Sequence, residues 1–325
     1  MATSPVKLVL LGTAGGPLPS PVRWGISQAV VVGDRTYVID CGYGTTRQLR
    51  RARLFGGLHQ VFLTHLHSDH TCDYFNLFLL GWPIIQWNPP VHVFGPGPAG
   101  GAAALPSEDV PLHRPDRPTP GLVDLTEAQF AAYAYDINIR MREAGRHDLR
   151  PLAVPHEIEL DPSLGARGPE DVAPDMKPIV VTEDDDVRVS ATLVRHAPVF
   201  PAFAYRFDTA AGSIVLSGDT APCANLVDLA RGADVLVHEV FDDTGAEAED
   251  ADDWEAQRRH HHMVTAHTPL SEVGRVAAEA GVRRLVLTHF IPGDDDLPDE
   301  HWVKGVAGAF DGEVVAGRDL LELTL

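Results

Sequence analysis

Short apolar runs rich in β-branched residues recur along the chain, separated by stretches in which apolar positions fall three and four residues apart. "VKLVLLG", "SQAVVVG", "RTYVID", "HQVFLTH", "VHVFG", "VRVSATLVRH", "FAYRFD", "SIVLSGD", "ADVLVHE" and "RRLVLTH" have the length and composition of strands. "YGTTRQLRRARL", "APCANLVDLARG" and "PLSEVGRVAAEAG" have helical spacing. In the last, Val273, Val276, Ala277 and Ala280 share one face, Thr268 is placed to cap, Pro269 suits the first turn and Gly281 stops the helix. The alternation predicts an α/β (α+β) fold, a sheet covered by helices. Between about 97 and 177 the pattern breaks into Pro- and Gly-rich sequence, with one helix expected around "LTEAQFAAYAYD". This stretch reads as an insertion or cap lying over the fold rather than as core. The strand-rich halves on either side suit a sandwich of two sheets with outer helices.

At 325 residues and 44% hydrophobic content the chain can bury a full core. It holds no apolar run of the roughly 18 to 20 residues that a membrane span needs, and its first residues lack a charged segment followed by a cleavable apolar one, so a cytoplasmic protein is expected. Cys41, Cys72 and Cys223 are scattered, without a CxxC pair, which excludes a disulfide framework and a cysteine zinc site. Cys72 reads as a small buried filler. The formal charge of −20 changes the picture more. An acidic surface repels phosphate backbones, and no convincing basic patch stands out: the segment from Gly97 to Ser190 has nine Lys and Arg against eighteen Asp and Glu. A small-molecule substrate is therefore expected, and nucleic acid is not.

Five strand-like runs end in side chains that bind metals or move protons. "VFLTHLHSDH" ends in His65, His67, Asp69 and His70; the others end in His196, in Asp219, in His238 and Glu239, and in His289. Groups just past strand ends are held rigidly while the loops remain free to vary. Three histidines and an aspartate within six residues offer imidazole nitrogen and a hard carboxylate oxygen, enough for half of each of two adjacent metal sites. The densest histidine cluster, "HHHMVTAH" at 260–267, follows the acidic segment "DDTGAEAEDADDWEAQRR", read as a loop, which makes His260, His261 and His262 rim residues. Gly12, Gly15 and Gly16 read as a backbone turn, since no Lys-Ser/Thr sequel makes them a nucleotide loop. His238 reads as a core residue.

The blocks "LGTAGGP", "DCGYGTTRQL", "THLHSDH", "LSGDT", "VHEVF", "TAHT" and "LVLTHF", in this order over about residues 7–80 and 188–291, resemble the metallo-β-lactamase-fold hydrolase superfamily, in its ribonuclease Z-like phosphodiesterase and arylsulfatase-type branch. The resemblance implies a four-layer αβ/βα sandwich of two mixed β-sheets in a single domain over 1–325, and a homodimer. It implies two zinc ions per chain, although the same ligands accept manganese or iron. His65, His67 and His196 would hold one ion, Asp69, His70 and His289 the other, and Asp219 would bridge them. A hydroxide between the ions would attack a phosphoryl, sulfuryl or acyl centre, and Asp69 would take the proton of its parent water. Glu239 would orient His267, which would donate a proton to the leaving oxygen; the carboxylate favours imidazolium while a following helix N-terminus opposes it. Asp40 resembles a carboxylate supporting the metal histidines. The expected reaction is cleavage of a phosphodiester or sulfate ester in a small molecule. The alternatives are a lactone, β-lactam or carboxylic ester hydrolase, for which Pro198, Phe200, Pro201 and Phe203 would form an apolar wall, and a tRNA 3′-processing endoribonuclease. The acidic middle and "HEVFD" in place of the family's "HEATF" point away from the last.

Overall fold

The computed structural model describes residues 5–100, 110–165, 171–244, 254–294 and 297–325. Strands Val6–Gly12 (β1), Ser27–Val32 (β2), Arg35–Ile39 (β3), Leu58–Phe62 (β4), Val91–Pro96 (β5) and Ala153–Ile158 (β6) lie in one sheet. Strands Ile179–Glu183 (β7), Val187–Leu193 (β8), Phe203–Thr209 (β9), Gly212–Leu216 (β10), Val235–Phe241 (β11), Arg284–Ile291 (β12) and Glu313–Ala316 (β13) form the second. Leu321–Thr324 (β14) returns to the first sheet beside β1, giving the orders β14-β1-β2-β3-β4-β5-β6 and β13-β12-β11-β10-β9-β8-β7. Both sheets are mixed. β1, β2 and β3 pair antiparallel and β3 to β6 parallel, while β7 to β10 pair antiparallel and β10 to β13 parallel.

Strand alternation explains the layers. Leu8, Leu10, Tyr37, Ile39 and Phe62 meet Val189, Tyr205, Phe207, Ile214 and Val237 between the sheets. Val9, Leu11, Val38 and Val61 face outward beneath Thr45–Ala52 (α1), Ser68–Thr71 (α2), Asn76–Leu79 (α3), Trp82–Ile85 (α4), Leu122–Ala132 (α5) and Ala134–Glu143 (α6). On the other side, Ala224–Ala230 (α7), Trp254–Ala266 (α8), Leu270–Ala280 (α9) and Asp299–Val306 (α10) accompany the second sheet. Leu270, Val273, Val276 and Ala277 of α9 and Trp302 of α10 close its apolar layer, each large side chain worth roughly 1.5–3 kcal/mol of burial. The result is the four-layer sandwich of two mixed sheets.

Three local expectations are corrected. The middle of the chain contributes α5, α6 and β6, and Leu122, Ile137, Leu149, Leu152 and Ala153 enter the first sheet's outer core. Its strand was hidden by polar residues and Pro155, both compatible with an edge strand. α9 does end at Gly281, at φ 66, but its cap is Pro269, because the Thr268 hydroxyl donates to the Thr220 carbonyl instead. The segment read as an acidic loop turns helical by Trp254, and α8 carries His260, His261 and His262; residues 245–253 lie outside the described set. Among the described residues no helix is long and apolar enough to cross a membrane.

Candidate metal centre

The loops after β3, β4, β8 and β10, together with β11 and β12, bring the chemistry-bearing side chains to one edge of the sandwich. His65, His70, His196, Asp219, Glu239, His267 and His289 are all buried there. Asp219 is central. One of its oxygens lies 3.2 Å from His70 Nε2, 3.3 Å from His289 Nε2 and 4.0 Å from His65 Nε2 and from His196 Nε2. Asp69 Oδ2 lies 3.6 Å from His70 Nε2 and 3.7 Å from His289 Nε2, and His67 Nδ1 lies 3.2 Å from His196 Nε2. Among the described residues four overlapping sets have ligand atoms within 4.8 Å of one another: His65, His67 and His196; His65, His70 and Asp219; Asp69, His70 and His289; and Asp219, Glu239, His267 and His289.

The ring orientations are fixed from outside. The Thr64 amide and hydroxyl donate to the two oxygens of Asp40 at 2.8 Å each, and His70 Nδ1 donates to Asp40 at 2.9 Å. With its proton given to Asp40, the Thr64 hydroxyl accepts from His65 Nδ1 at 3.0 Å. His196 Nδ1 donates to the Ala266 carbonyl at 2.9 Å. In each ring the Nδ1 proton is taken up, which leaves Nε2 as a lone pair turned inward. The buried Nε2 atoms of His65, His70 and His289 have no hydrogen-bond partner. Orphaned buried nitrogens are costly unless a further ligand satisfies them, and converging lone pairs beside carboxylates fit a divalent cation. Backbone strain marks the same place: Asp40 and His289 sit at φ 57 and 47, in the left-handed region that costs a non-glycine residue about 1–3 kcal/mol.

Electrostatics agree. Burial holds His65 and His196 well below the ordinary histidine value and lowers His67 as well, so these imidazoles are neutral, the form that binds metal. His70 departs from this pattern: burial opposes its charge, but Asp219 and Asp40 outweigh it and raise its pKa well above normal, so a cation has to displace a proton from its Nε2. Burial resists ionisation of Asp69, yet the nearby imidazoles of His289 and His70 bring it down to about 2.

Glu239 and His267 form a hydrogen-bonded pair that adjoins Asp219 and His289. His267 Nδ1 lies 2.9 and 3.1 Å from the two Glu239 oxygens, and the Thr220 amide donates to Glu239 at 2.6 Å. Of the two opposing influences expected on His267, neither dominates; burial does, lowering its pKa while raising that of Glu239 well above the carboxylate range. His238, on the opposite face of β11, is buried, and desolvation lowers it to about 4.

Other expectations fare unevenly. Phe203 is fully buried between the sheets and lines no substrate wall, while Phe200 is half-buried against the same core. Cys72 is exposed rather than buried. Gly15 does more than turn the chain: a Cβ there would lie 2.7 Å from His289 Nδ1. Thr64 and Thr220 were missed, although Thr64 stands directly before the motif in "LTHLHSDH" and a hydroxyl between a strand end and a histidine is a readable signal.

A family described as a β-lactamase superfamily domain matches residues 35–290. The chain belongs to the β-lactamase superfamily. Among its relatives, ribonuclease Z of Mycobacterium bovis (strain BCG / Pasteur 1173P2) is 31% identical over 97% of this chain and 96% of its own, and that of Mycobacterium avium (strain 104) is 33% identical over the same shares. The solved structure of human tRNase Z, short form, superposes with a TM-score of 0.63 at 20% identity, covering 98% of each chain. The metallo-β-lactamase-fold protein YhfI from Bacillus subtilis gives 0.63 at 17%, over 99% of this chain and 100% of its own. This superfamily member is a metal-dependent hydrolase, and its donor set suits a divalent metal. The relatives also correct the expectation against a nucleic-acid partner, because proteins similar over nearly their whole length carry the name of a ribonuclease. A net charge sums the whole surface, whereas binding answers to the local field, and α1 carries Arg47, Arg50 and Arg51 with Arg53 at its end.

Proposed function

We propose that this hydrolase cleaves phosphodiester bonds in RNA, with precursor tRNA the first substrate to test. The observation that carries the reading is the near-full-length similarity to ribonuclease Z proteins, joined to a buried donor cluster of the right chemistry. His65, His67 and His196 would hold one divalent ion and Asp69, His70 and His289 a second, with Asp219 between them; zinc suits this mixture of imidazole and carboxylate. Such ions polarise a phosphoryl oxygen and activate water at neutral pH.

The chain's own groups perform the rest. Thr64 and the Ala266 carbonyl keep the inward nitrogens of His65 and His196 unprotonated and aimed, and Asp40 aims that of His70. Asp69, whose carboxyl stays ionised, is placed to accept a proton from the attacking water. Glu239 fixes His267 through Nδ1, leaving Nε2 to deliver a proton to the leaving oxygen. A burial-lowered pKa makes His267 a strong acid once protonated, and the neutral Glu239–His267 pair stores that proton without an isolated charge.

The test is a parallel assay of precursor tRNA, a bis-aryl phosphate, an aryl sulfate and a lactone, before and after chelation and zinc restoration. RNA cleavage that is lost with chelation and returns with zinc is expected. Turnover confined to sulfate or lactone would overturn the reading.

A further inference from the structure

α1 is anomalous in an acidic protein. Elsewhere most arginines sit against carboxylates, as Arg35 on Asp184 and Asp186, Arg117 on Asp124, Arg206 on Asp208, Arg275 on Glu272 and Glu279, and Arg284 on Glu313; exposed Arg142 and Arg195 are single exceptions, whereas α1 gathers four. Arg47, Arg50, Arg51 and Arg53 are all exposed, and among the described residues none of them forms an ion pair. Arg47, Arg50 and Arg51 fall at i, i+3 and i+4, so like charges face one another along one stripe, an arrangement that weakens a helix. The helix dipole accounts for Arg50 and Arg51 in the last turn, but it opposes Arg47 in the first turn, where no acid is present. Arg47 is instead held at 4.7 Å over the Trp24 ring.

The stripe borders a groove of about 490 Å³, bounded by Arg47 and Arg50 on one wall and by Phe55, Pro83 and Ile84 on the other. Gly44 and Asp73, the latter three residues beyond His70, also line the groove. Asp73 adds no exposed competing charge: it is buried, and its oxygens accept from the Thr46 amide and the Asn76 side chain. The neighbouring Gly42 packs directly against the Asp69 carbonyl. A track of unneutralised guanidinium groups thus leads away from the metal cluster over a surface that elsewhere repels polyanions.

We propose that the exposed face of α1 and its groove dock the sugar–phosphate backbone of the RNA substrate, outside the part that reacts. This rests on the RNA reading above. Arginine suits the role because its planar fork matches phosphate oxygens, and the apolar wall of Phe55, Pro83 and Ile84 favours the ribose side of the strand. The remaining acidic surface then orients the RNA by repulsion, so binding is steered to one track.

The test compares the wild-type protein with the triple variants Arg50→Gln/Arg51→Gln/Arg53→Gln and Arg50→Lys/Arg51→Lys/Arg53→Lys. Precursor tRNA binding is followed by fluorescence anisotropy over a salt series, alongside RNA cleavage and bis(p-nitrophenyl) phosphate hydrolysis. The glutamine variant is expected to raise the KM for RNA about tenfold or more near 0.1 M salt. Its log-affinity against log-salt slope should flatten by about 2 to 3, since each lost phosphate contact removes roughly 0.7–0.9. Hydrolysis of the aryl phosphate should not change, and the lysine variant should keep the wild-type slope. Wild-type RNA affinity and slope in the glutamine variant overturn the docking surface while leaving the RNA reading intact. A variant whose only change is in sedimentation overturns it in favour of a second acidic copy of the chain on α1. A wild-type protein that cleaves the aryl phosphate but no RNA overturns the RNA reading, and the docking surface with it.

Discussion

The two sides of the metal cluster are built from different materials. On one side His65, His67 and His196 are imidazoles alone, and the outer nitrogens of His65 and His196 rest on neutral acceptors, the Thr64 hydroxyl and the Ala266 carbonyl. On the other, Asp69 joins His70 and His289, and His70 leans on the carboxylate of Asp40. A neutral acceptor only orients a ring, whereas a carboxylate also makes it a stronger base and adds negative charge near the cation. The carboxylate side should therefore hold a divalent ion more tightly than the imidazole side. Asp219 reaches both and should be required by each.

Removing what the two sides share is the most severe way to break the comparison. Asp219→Ala is expected to empty the cluster, with metal content by elemental analysis falling towards zero and cleavage dropping on the order of a thousandfold or more. A variant that keeps its full metal content would show that the sides do not depend on Asp219. Asp40→Asn, nearly the same shape, should act mainly on the side of His70, which Asp40 contacts directly, weakening the ion there by about 10–100-fold, and reach His65 only through Thr64. Chelator titration should then be biphasic, with one ion released early; a single phase would erase the distinction between the sides.

His267→Ala lies outside both sides. Metal content should stay constant while the rate with poor leaving groups falls by about 10²–10⁴-fold, and activated aryl leaving groups, which need no proton, should be spared. Loss of a metal ion in this variant would move His267 into the ligand set.

The smallest effect is expected far from the centre, at Asp184, where the Tyr37 hydroxyl of one sheet donates to the β7–β8 turn of the other at 2.8 Å. Burial works against ionisation of Asp184, but the amides of Asp186 and Val187 and the Tyr37 hydroxyl outweigh it and lower its pKa. A depressed folded-state pKa contributes stability that is present above the unfolded value near 4 and is lost as pH falls through the folded one. Asp184→Asn should thus lower Tm by roughly one to three degrees at pH 7 and by less once the pH has fallen through the depressed folded-state value, without changing metal content.

Legibility in the sequence followed the same division between what a residue carries and what it touches. His65, Asp219 and His289 could be found because each follows or ends an apolar strand, so type and position coincide. β6 was hidden because an edge strand tolerates Pro155 and polar neighbours, which erase alternation. α8 was hidden because its hydrophobic face is weak beside a run of histidine and acid. The arginines of α1 were in view from the start, but that they lack acidic partners depends on where every carboxylate of the fold comes to rest. The tension between burial and ion pairing at His267 likewise needed the packed site to decide it.

The central claim is that the buried histidines and aspartates form a divalent-metal centre joined through Asp219. Anomalous difference density measured at the zinc absorption edge, on crystals of the protein purified with zinc, tests it most directly. The expected result is density between the inward nitrogens of His65, His67 and His196 and between Asp69, His70 and His289, on either side of Asp219. Density at His260–His262 alone, or none within reach of Asp219, would contradict the account.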